Sequence, residues 1–93
     1  MQNKISKEKL EKYFSITSRA LKKAKENIDE KKEAHAKEII SMVENYLSDA
    51  KHFSDEKDFV NAFACLNYAH GWLDAGVRLD VFDVKDSKLF TIK

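Results

Sequence analysis

The chain of 93 residues has no proline, only two glycines and a single cysteine. A sheet protein normally needs Gly and Pro in the turns between its strands, so their scarcity argues against a mainly β fold. Apolar residues make up 43% of the chain and charged residues 35%, a combination typical of amphipathic helices. The length fits one domain.

The single cysteine, Cys65, excludes a disulfide within the chain and favours a reducing compartment. No apolar run approaches the roughly 18 residues that a membrane-spanning helix requires. The first ten residues, MQNKISKEKL, contain no apolar core of a signal peptide. We therefore expect a cytoplasmic protein that makes no use of a membrane.

Apolar residues recur at steps of three and four, which predicts helices over residues of about 6–27, 30–53 and 57–79. Because short connections place successive helices side by side and antiparallel, we predict an all-α fold, an up-down-up three-helix bundle within residues 1–80. Residues 81–93, VFDVKDSKLFTIK, are rich in β-type side chains. They predict a short extended or hairpin tail that packs on the bundle, because a lone hairpin is only marginally stable in water.

Short polar residues mark the predicted helix starts. Ser6 precedes the first helix and Asp29 the second, and both are good N-cap residues. Asp55 with Asp58 three residues on resembles a capping pair before the third helix.

The most unusual stretch, NYAHGWLDAG at 67–76, holds both glycines and the only tryptophan. At about 100° per residue, His70 points toward the core, where the Thr17 hydroxyl is its candidate partner. Asp74 lies one turn further and can orient the imidazole. This pair is the best acid–base candidate in the chain, but no nucleophile or recognisable pocket accompanies it. We interpret His70 as a hydrogen-bonded core or interface residue.

The back of the third helix lacks the charged residues expected on an outer face. It carries small and apolar residues instead: Val60, Ala64, Gly71 and Ala75. A helix that is apolar all round is normally covered on every side. We therefore predict that this face is covered, either by the tail or by the third helix of a second molecule. We expect a homodimer that uses this face as its interface, alone or together with cover by the tail. The alternative is that Gly71 only makes room within the monomer, for Trp72 or Tyr46.

Asp49 and His35 fall on the predicted inner side of the second helix, where a carboxylate needs partners. Counting residues from the turns places Asp49 about two helical turns, or roughly 12 Å, from His70. This spacing predicts two separate polar sites in one core rather than a catalytic pair.

No metal site and no cofactor are predicted. The three histidines and Cys65 do not have the spacing of converging ligands, and no Gly-rich loop precedes a helix. We interpret Cys65 as a small buried apolar residue and the aromatic residues Tyr46, Tyr68 and Trp72 as core, with an aromatic binding surface as the alternative.

Three stretches together form a specific pattern: YLSDA at 46–50, DFVNAF at 58–63 and YAHGWLDAG at 68–76. They resemble an archaeal family of unknown function, domain-of-unknown-function family 357, strongly over residues 40–80 and more weakly over the first helix. The resemblance implies a small left-handed three-helix bundle and no assigned activity. It also implies a set of signature positions: Tyr46, Asp49, Tyr68, His70, Gly71, Trp72, Asp74 and Gly76. Family members often have a glycine near position 80, where this chain has Asp80.

Charge is unevenly distributed along the chain. Residues 1–37 hold 11 Lys/Arg and 6 Asp/Glu, a net charge of +5, whereas residues 38–93 hold 6 and 10, a net charge of −4. The basic first helix supports a nucleic-acid-binding hypothesis, but its interleaved glutamates weaken a phosphate-binding surface. The basic residues concerned are Lys12, Arg19, Lys22 and Lys23.

The leading hypothesis is a non-enzymatic structural or protein-interaction module that self-associates through the third helix. One alternative is a small-ligand binder or enzyme that uses the tyrosine, aspartate and histidine signature residues, which a cleft joining their side chains would favour. The other is a nucleic-acid-binding accessory protein, which a steep fall of RNA affinity with salt would favour.

Overall fold

The computed structural model of the chain describes residues 5–90. The helices are α1 (Lys7–Lys25), α2 (Glu33–Asp55) and α3 (Phe59–Arg78), with a 3-10 turn at Glu30–Lys32. Helix α3 packs closely on α2 and less closely on α1, while α1 and α2 make few direct contacts. The predicted all-α three-helix bundle is confirmed, although α1 ends before residue 27 and α2 continues past residue 53.

Short polar side chains cap the N-termini of α1 and α3. Ser6 and Asp58 each accept a hydrogen bond from the backbone N–H three residues on, at 3.1 and 3.2 Å. Asp29 was predicted to cap α2, but it caps the 3-10 turn that comes before α2. Asp55 is the last residue of α2 and lies outside the cap of α3, so the predicted Asp55–Asp58 pair is wrong.

A left-handed residue follows the C-cap of both α2 and α3: Lys57 at φ 61° and Asp80 at φ 60°. In each case that residue and the next one donate backbone hydrogen bonds to carbonyls of the last helical turn, at 2.8–3.1 Å. This is the Schellman arrangement, in which glycine is the usual left-handed residue. Asp80 therefore adopts the conformation that the family resemblance associates with glycine, and the end of α3 is defined there.

After α3 the chain folds back over the bundle. Two backbone hydrogen bonds of 2.9 and 2.8 Å join the tail to the α1–α2 connection, beside an isolated antiparallel bridge between Ile28 and Phe82. One turn follows, in which the Asp86 carbonyl accepts from the N–H groups three and four residues on. Within residues 81–90 the β-type backbone pairing is with this connection, and no two segments of the tail pair with each other. The tail is therefore an extended segment rather than a hairpin. Residues 91–93 of the predicted tail lie outside the described part.

Buried side chains form two clusters along the bundle. The cluster near the α2–α3 connection consists of Leu10, Ala50, Ala62 and Leu66. The larger cluster joins all three helices to the tail. The tail residues buried in it are Val81, Phe82, Val84, Leu89 and Phe90. The tail is therefore part of the core, and it covers one side of α3 only.

Candidate surfaces around helix α3

The residues singled out by sequence separate onto different sides of α3. Gly76 faces the tail, His70 and Asp74 face α1, and Tyr68 faces α2. Gly71 faces outward. Tyr46 and Tyr68 meet on the α2 flank of α3, whereas His70 and Asp74 lie on its α1 flank, so the described residues do not bring these four side chains into one cleft.

Gly76 is required by close packing inside the chain. A Cβ at this position would overlap the ring of Phe82 and lie 3.3 Å from Cδ1 of Ile39. The Phe82 ring is buried and fills the space that a side chain would occupy. The absence of a side chain at Gly76 therefore permits the tail to pack closely against α3.

Gly71 has no such neighbour. Apart from its chain neighbours His70 and Trp72, no described side chain, and no backbone outside its own helix, lies within 4 Å of a Cβ built at this position. Gly71 therefore does not make room inside the monomer for Tyr46, so that part of the alternative is wrong. Glycine in the middle of a helix lowers the stability by about 1 kcal/mol relative to alanine. No contact that the structure shows at Gly71 offsets this cost.

The His70 imidazole joins three elements of the fold. Its Nε2 atom lies 2.6 Å from the carbonyl oxygen of Leu89, and its Nδ1 atom lies 3.2 Å from the hydroxyl of Thr17. A carbonyl can only accept, so Nε2 carries a proton, and in the neutral ring Nδ1 accepts from the hydroxyl. Thr17 is buried, as its predicted role as the partner of His70 requires. His70 therefore links α3 to α1 and to the tail.

Asp74 has a smaller role at His70 than the sequence predicted. Its Oδ1 atom lies 3.9 Å from Nε2, beyond hydrogen-bond distance, while the nearer Leu89 carbonyl orients the ring. Sequence reasoning missed Leu89, since a backbone carbonyl in a tail leaves no pattern in the sequence. The apolar character of the tail was the available signal that it would pack there.

A shallow cleft of about 390 Å³ lies between α1 and α3 beside His70. Its lining includes the apolar side chains of Ile16 and Leu66 and the polar side chains of Asn67, Asp74 and Lys88, and Gly71 borders it as well. Both nitrogens of the histidine ring already have partners within the chain. The cleft can hold a small molecule, but the imidazole is not free to act as a base.

Asp49 and His35 are exposed, so their predicted burial on the inner side of α2 is wrong. The buried stripe of α2 consists of Ala36, Ile39, Val43 and Ala50. It is narrow because α2 has few contacts with α1 and buries mainly the side that faces α3. Asp49 and His35 lie beyond the edges of that stripe. The polar site predicted inside the core at Asp49 is therefore a surface position.

Aromatic residues line the α2 flank of α3. The rings of Tyr46 and Tyr68 stack with centroids 5.5 Å apart and an angle of 29°. Tyr68 and Trp72 are nevertheless exposed, so their interpretation as core residues is wrong. Cys65 lies nearby, half-buried; burial raises the pKa of its thiol, and the charge of Asp49 raises that pKa further. A thiol held in its protonated form is a poor nucleophile.

The large apolar side chains that are exposed in residues 5–90 all belong to α3 and its C-cap. They are Val60 (54% exposed), Tyr68 (62%), Trp72 (38%) and Leu79 (65%). Gly71 and Ala75 between them are exposed too, and Ala64 is half-buried. We call Val60, Ala64, Tyr68, Gly71, Ala75 and Leu79 the outer face of α3, with Trp72 at its edge. The tail leaves this face uncovered.

The described residues give less evidence for a metal site, a membrane-spanning helix or a surface that binds nucleic acid. Residues 5–90 contain no group of three or more His, Cys or carboxylate side chains placed to hold a metal ion. None of the helices described combines the length and the apolar composition needed to cross a membrane. The basic residues of α1 are exposed, but Lys23 lies 3.2 Å from Asp86 and Lys25 lies 2.8 Å from Glu44, which reduces the positive charge of this surface.

Comparison with known proteins gives one finding. The family described as "Protein of unknown function (DUF357)" matches residues 12–82. The match includes Gly76 and Phe82, whereas the remainder of the tail, with Leu89, lies beyond it. No curated protein and no solved structure matches the chain. Since the matched region covers most of the sequence, the chain belongs to the DUF357 family of proteins of unknown function.

Proposed function

We propose that the protein is a small non-enzymatic interaction module of the cytoplasm that self-associates through the outer face of α3. The observation that carries the proposal is the placement of its exposed large apolar side chains on one helix. Single exposed apolar residues are common, but a contiguous patch marks an interaction site. Among the exposed residues of α3, Arg78 alone is charged.

The size of this face is sufficient for a modest interface. Aromatic side chains present about 150–250 Å² each, so the partly exposed apolar side chains of one copy offer on the order of 500 Å². Two copies would bury about 1,000 Å², the lower limit for a specific protein–protein interface. The outer face therefore supports a dimer that depends on concentration.

The groups that could carry out catalysis are engaged in other ways. His70 links the tail to the bundle, and the raised pKa of Cys65 keeps its thiol protonated. Asp49 lies on the surface of α2, away from His70. These contacts support a structural role for His70 and an interaction role for the outer face of α3.

Native mass spectrometry of untagged protein purified without chelator tests the proposal. We expect a dimer with no additional mass. A protein that stays monomeric at every concentration up to the solubility limit contradicts self-association.

A second candidate function is small-ligand binding in the cleft beside His70. The lining of the cleft favours this function, because it combines apolar side chains with charged groups of both signs, Asp74 and Lys88. In the same mass spectra, a monomer that carries a small molecule would favour this candidate. Loss of the added mass in an Asp74→Ala variant would then place the molecule in the cleft.

A further inference from the structure

We infer that two copies pair with their α3 helices antiparallel, so that Tyr68 of each copy lies opposite Gly71 of the other. The inference rests on the proposed self-association and adds its geometry. It names the residue that fills the space above Gly71, the position in the chain that no internal contact explains.

The outer face is arranged symmetrically along α3. Its members form three pairs, each centred on the midpoint between Ala69 and His70: Val60 with Leu79, Ala64 with Ala75, and Tyr68 with Gly71. A two-fold axis through that midpoint and perpendicular to α3 brings each residue level with its counterpart on the second copy. Such an axis is the symmetry of an isologous dimer, in which both copies use the same surface.

Side-chain size distinguishes the antiparallel pairing from a parallel one. In the antiparallel pair, the large ring of Tyr68 is level with Gly71, and the small Ala64 is level with the small Ala75. In a parallel pair, Tyr68 would face Tyr68 and Gly71 would face Gly71, which places excess bulk at one level and empty space at another. Since interfaces pack nearly as densely as protein interiors, complementary sizes favour the antiparallel pair.

Tyr68 is held in place before any second copy arrives. Its ring stacks on Tyr46 at 5.5 Å, yet 62% of the residue remains exposed. A side chain that is already ordered loses little rotamer entropy on binding. Among residues 5–90, no side chain other than those of its two chain neighbours lies within 4 Å of a Cβ built at Gly71, so the space level with the incoming ring is open.

Crosslinking of single-cysteine variants tests the register. In a Cys65→Ala background, Ala64→Cys and Ala75→Cys are prepared separately, one of them isotope-labelled, and are mixed until subunits exchange. A short bis-maleimide is then added. We expect a covalent dimer with one labelled and one unlabelled chain from the mixture, and almost none from either variant alone. Ala34→Cys, at an exposed position on α2, replaces Ala75→Cys in the control mixture.

The outcomes separate the register from self-association itself. Crosslinking within Ala64→Cys alone and within Ala75→Cys alone shows a parallel pair and overturns the inference. A mixture that is dimeric by mass but forms no more crosslinks than the Ala34→Cys control also overturns it. If the Cys65→Ala and unmodified proteins are both monomeric by mass, self-association fails, and the inference fails with it.

Discussion

The two glycines of α3 lie five positions apart and have opposite surroundings. Gly76 is enclosed, because the Phe82 ring of the tail occupies the space where a side chain would stand. Gly71 is open, because no side chain lies near it. The comparison shows that glycine has two different roles in this one helix. At Gly76 the absence of a side chain permits packing within the chain, and at Gly71 we propose that it permits packing against a second molecule.

The largest effect is expected on the enclosed side. Phe82→Ala removes one of the largest fully buried side chains and should lower the free energy of unfolding by about 3–5 kcal/mol. Chemical denaturation measures the change. Leu79→Ala, at an exposed position near the start of the tail, is the matched control and should cost far less. Equal losses for the two variants would show that the tail is not part of the core.

Alanine at the two glycines should have effects of opposite sign. Gly76→Ala forces the Phe82 ring to shift, and overpacking of this kind costs about 1–3 kcal/mol. Gly71→Ala meets no neighbour and gains helix propensity, so in dilute, monomeric protein it should raise stability by up to about 1 kcal/mol. Thermal denaturation of both variants measures the contrast, and destabilisation by Gly71→Ala would contradict an open position.

His70→Ala should loosen the tail from the helices. The variant loses hydrogen bonds to Leu89 and Thr17, each worth about 0.5–1.5 kcal/mol. Limited trypsin digestion provides a specific readout, because cleavage after Lys85 or Lys88 should become faster once the tail detaches. His52→Ala, at an exposed histidine of α2, should leave the cleavage rate unchanged. Equal rates for all three proteins would show that His70 does not hold the tail.

A smaller, pH-dependent effect is expected at Asp86. Its pKa lies below the ordinary value of 3.8, because the carboxylate accepts a hydrogen bond from the Lys88 N–H and another from the Lys23 side chain. A lowered pKa in the folded state adds stability above pH 3.8 that is lost as the pH falls through the folded-state value. Asp86→Asn should therefore melt below wild type at pH 6, and the difference should shrink at pH 3.

The same comparison on Asp83→Asn provides the control for Asp86. Asp83 is exposed, and the bond that the structure shows for it is donated by its backbone N–H to Asn27, which the substitution keeps. A melting difference for Asp86→Asn that is the same at pH 6 and pH 3 would exclude the stabilising role of the Asp86 carboxylate.

The helices were predictable because their causes are local. Apolar spacing located all three, and Ser6 marked the start of α1. The pairing of His70 with Thr17 followed from counting helical turns. The burial of Asp49 was predicted wrongly, because the width of the buried stripe of α2 depends on how closely α1 approaches it. That distance is a tertiary property, which the periodicity of α2 alone does not carry.

The two glycines show the same limit. Both stood out in the sequence, but only the position of the tail distinguishes Gly76 from Gly71. The left-handed positions that glycine usually occupies hold Lys57 and Asp80 instead, so composition gave no signal for where α2 and α3 end. Long-range packing of the tail explains the difference between the two glycines.

Sedimentation equilibrium of wild type, Gly71→Lys and Ser41→Lys tests the central claim most directly. Neither substitution should disturb the fold, because Gly71 has open space around it and Ser41 is exposed on α2, away from its buried stripe. The account predicts dimers for wild type and Ser41→Lys, and a folded monomer for Gly71→Lys, whose added charge would be buried between the helices. A Gly71→Lys protein that dimerises as tightly as wild type would contradict an interface at the outer face of α3.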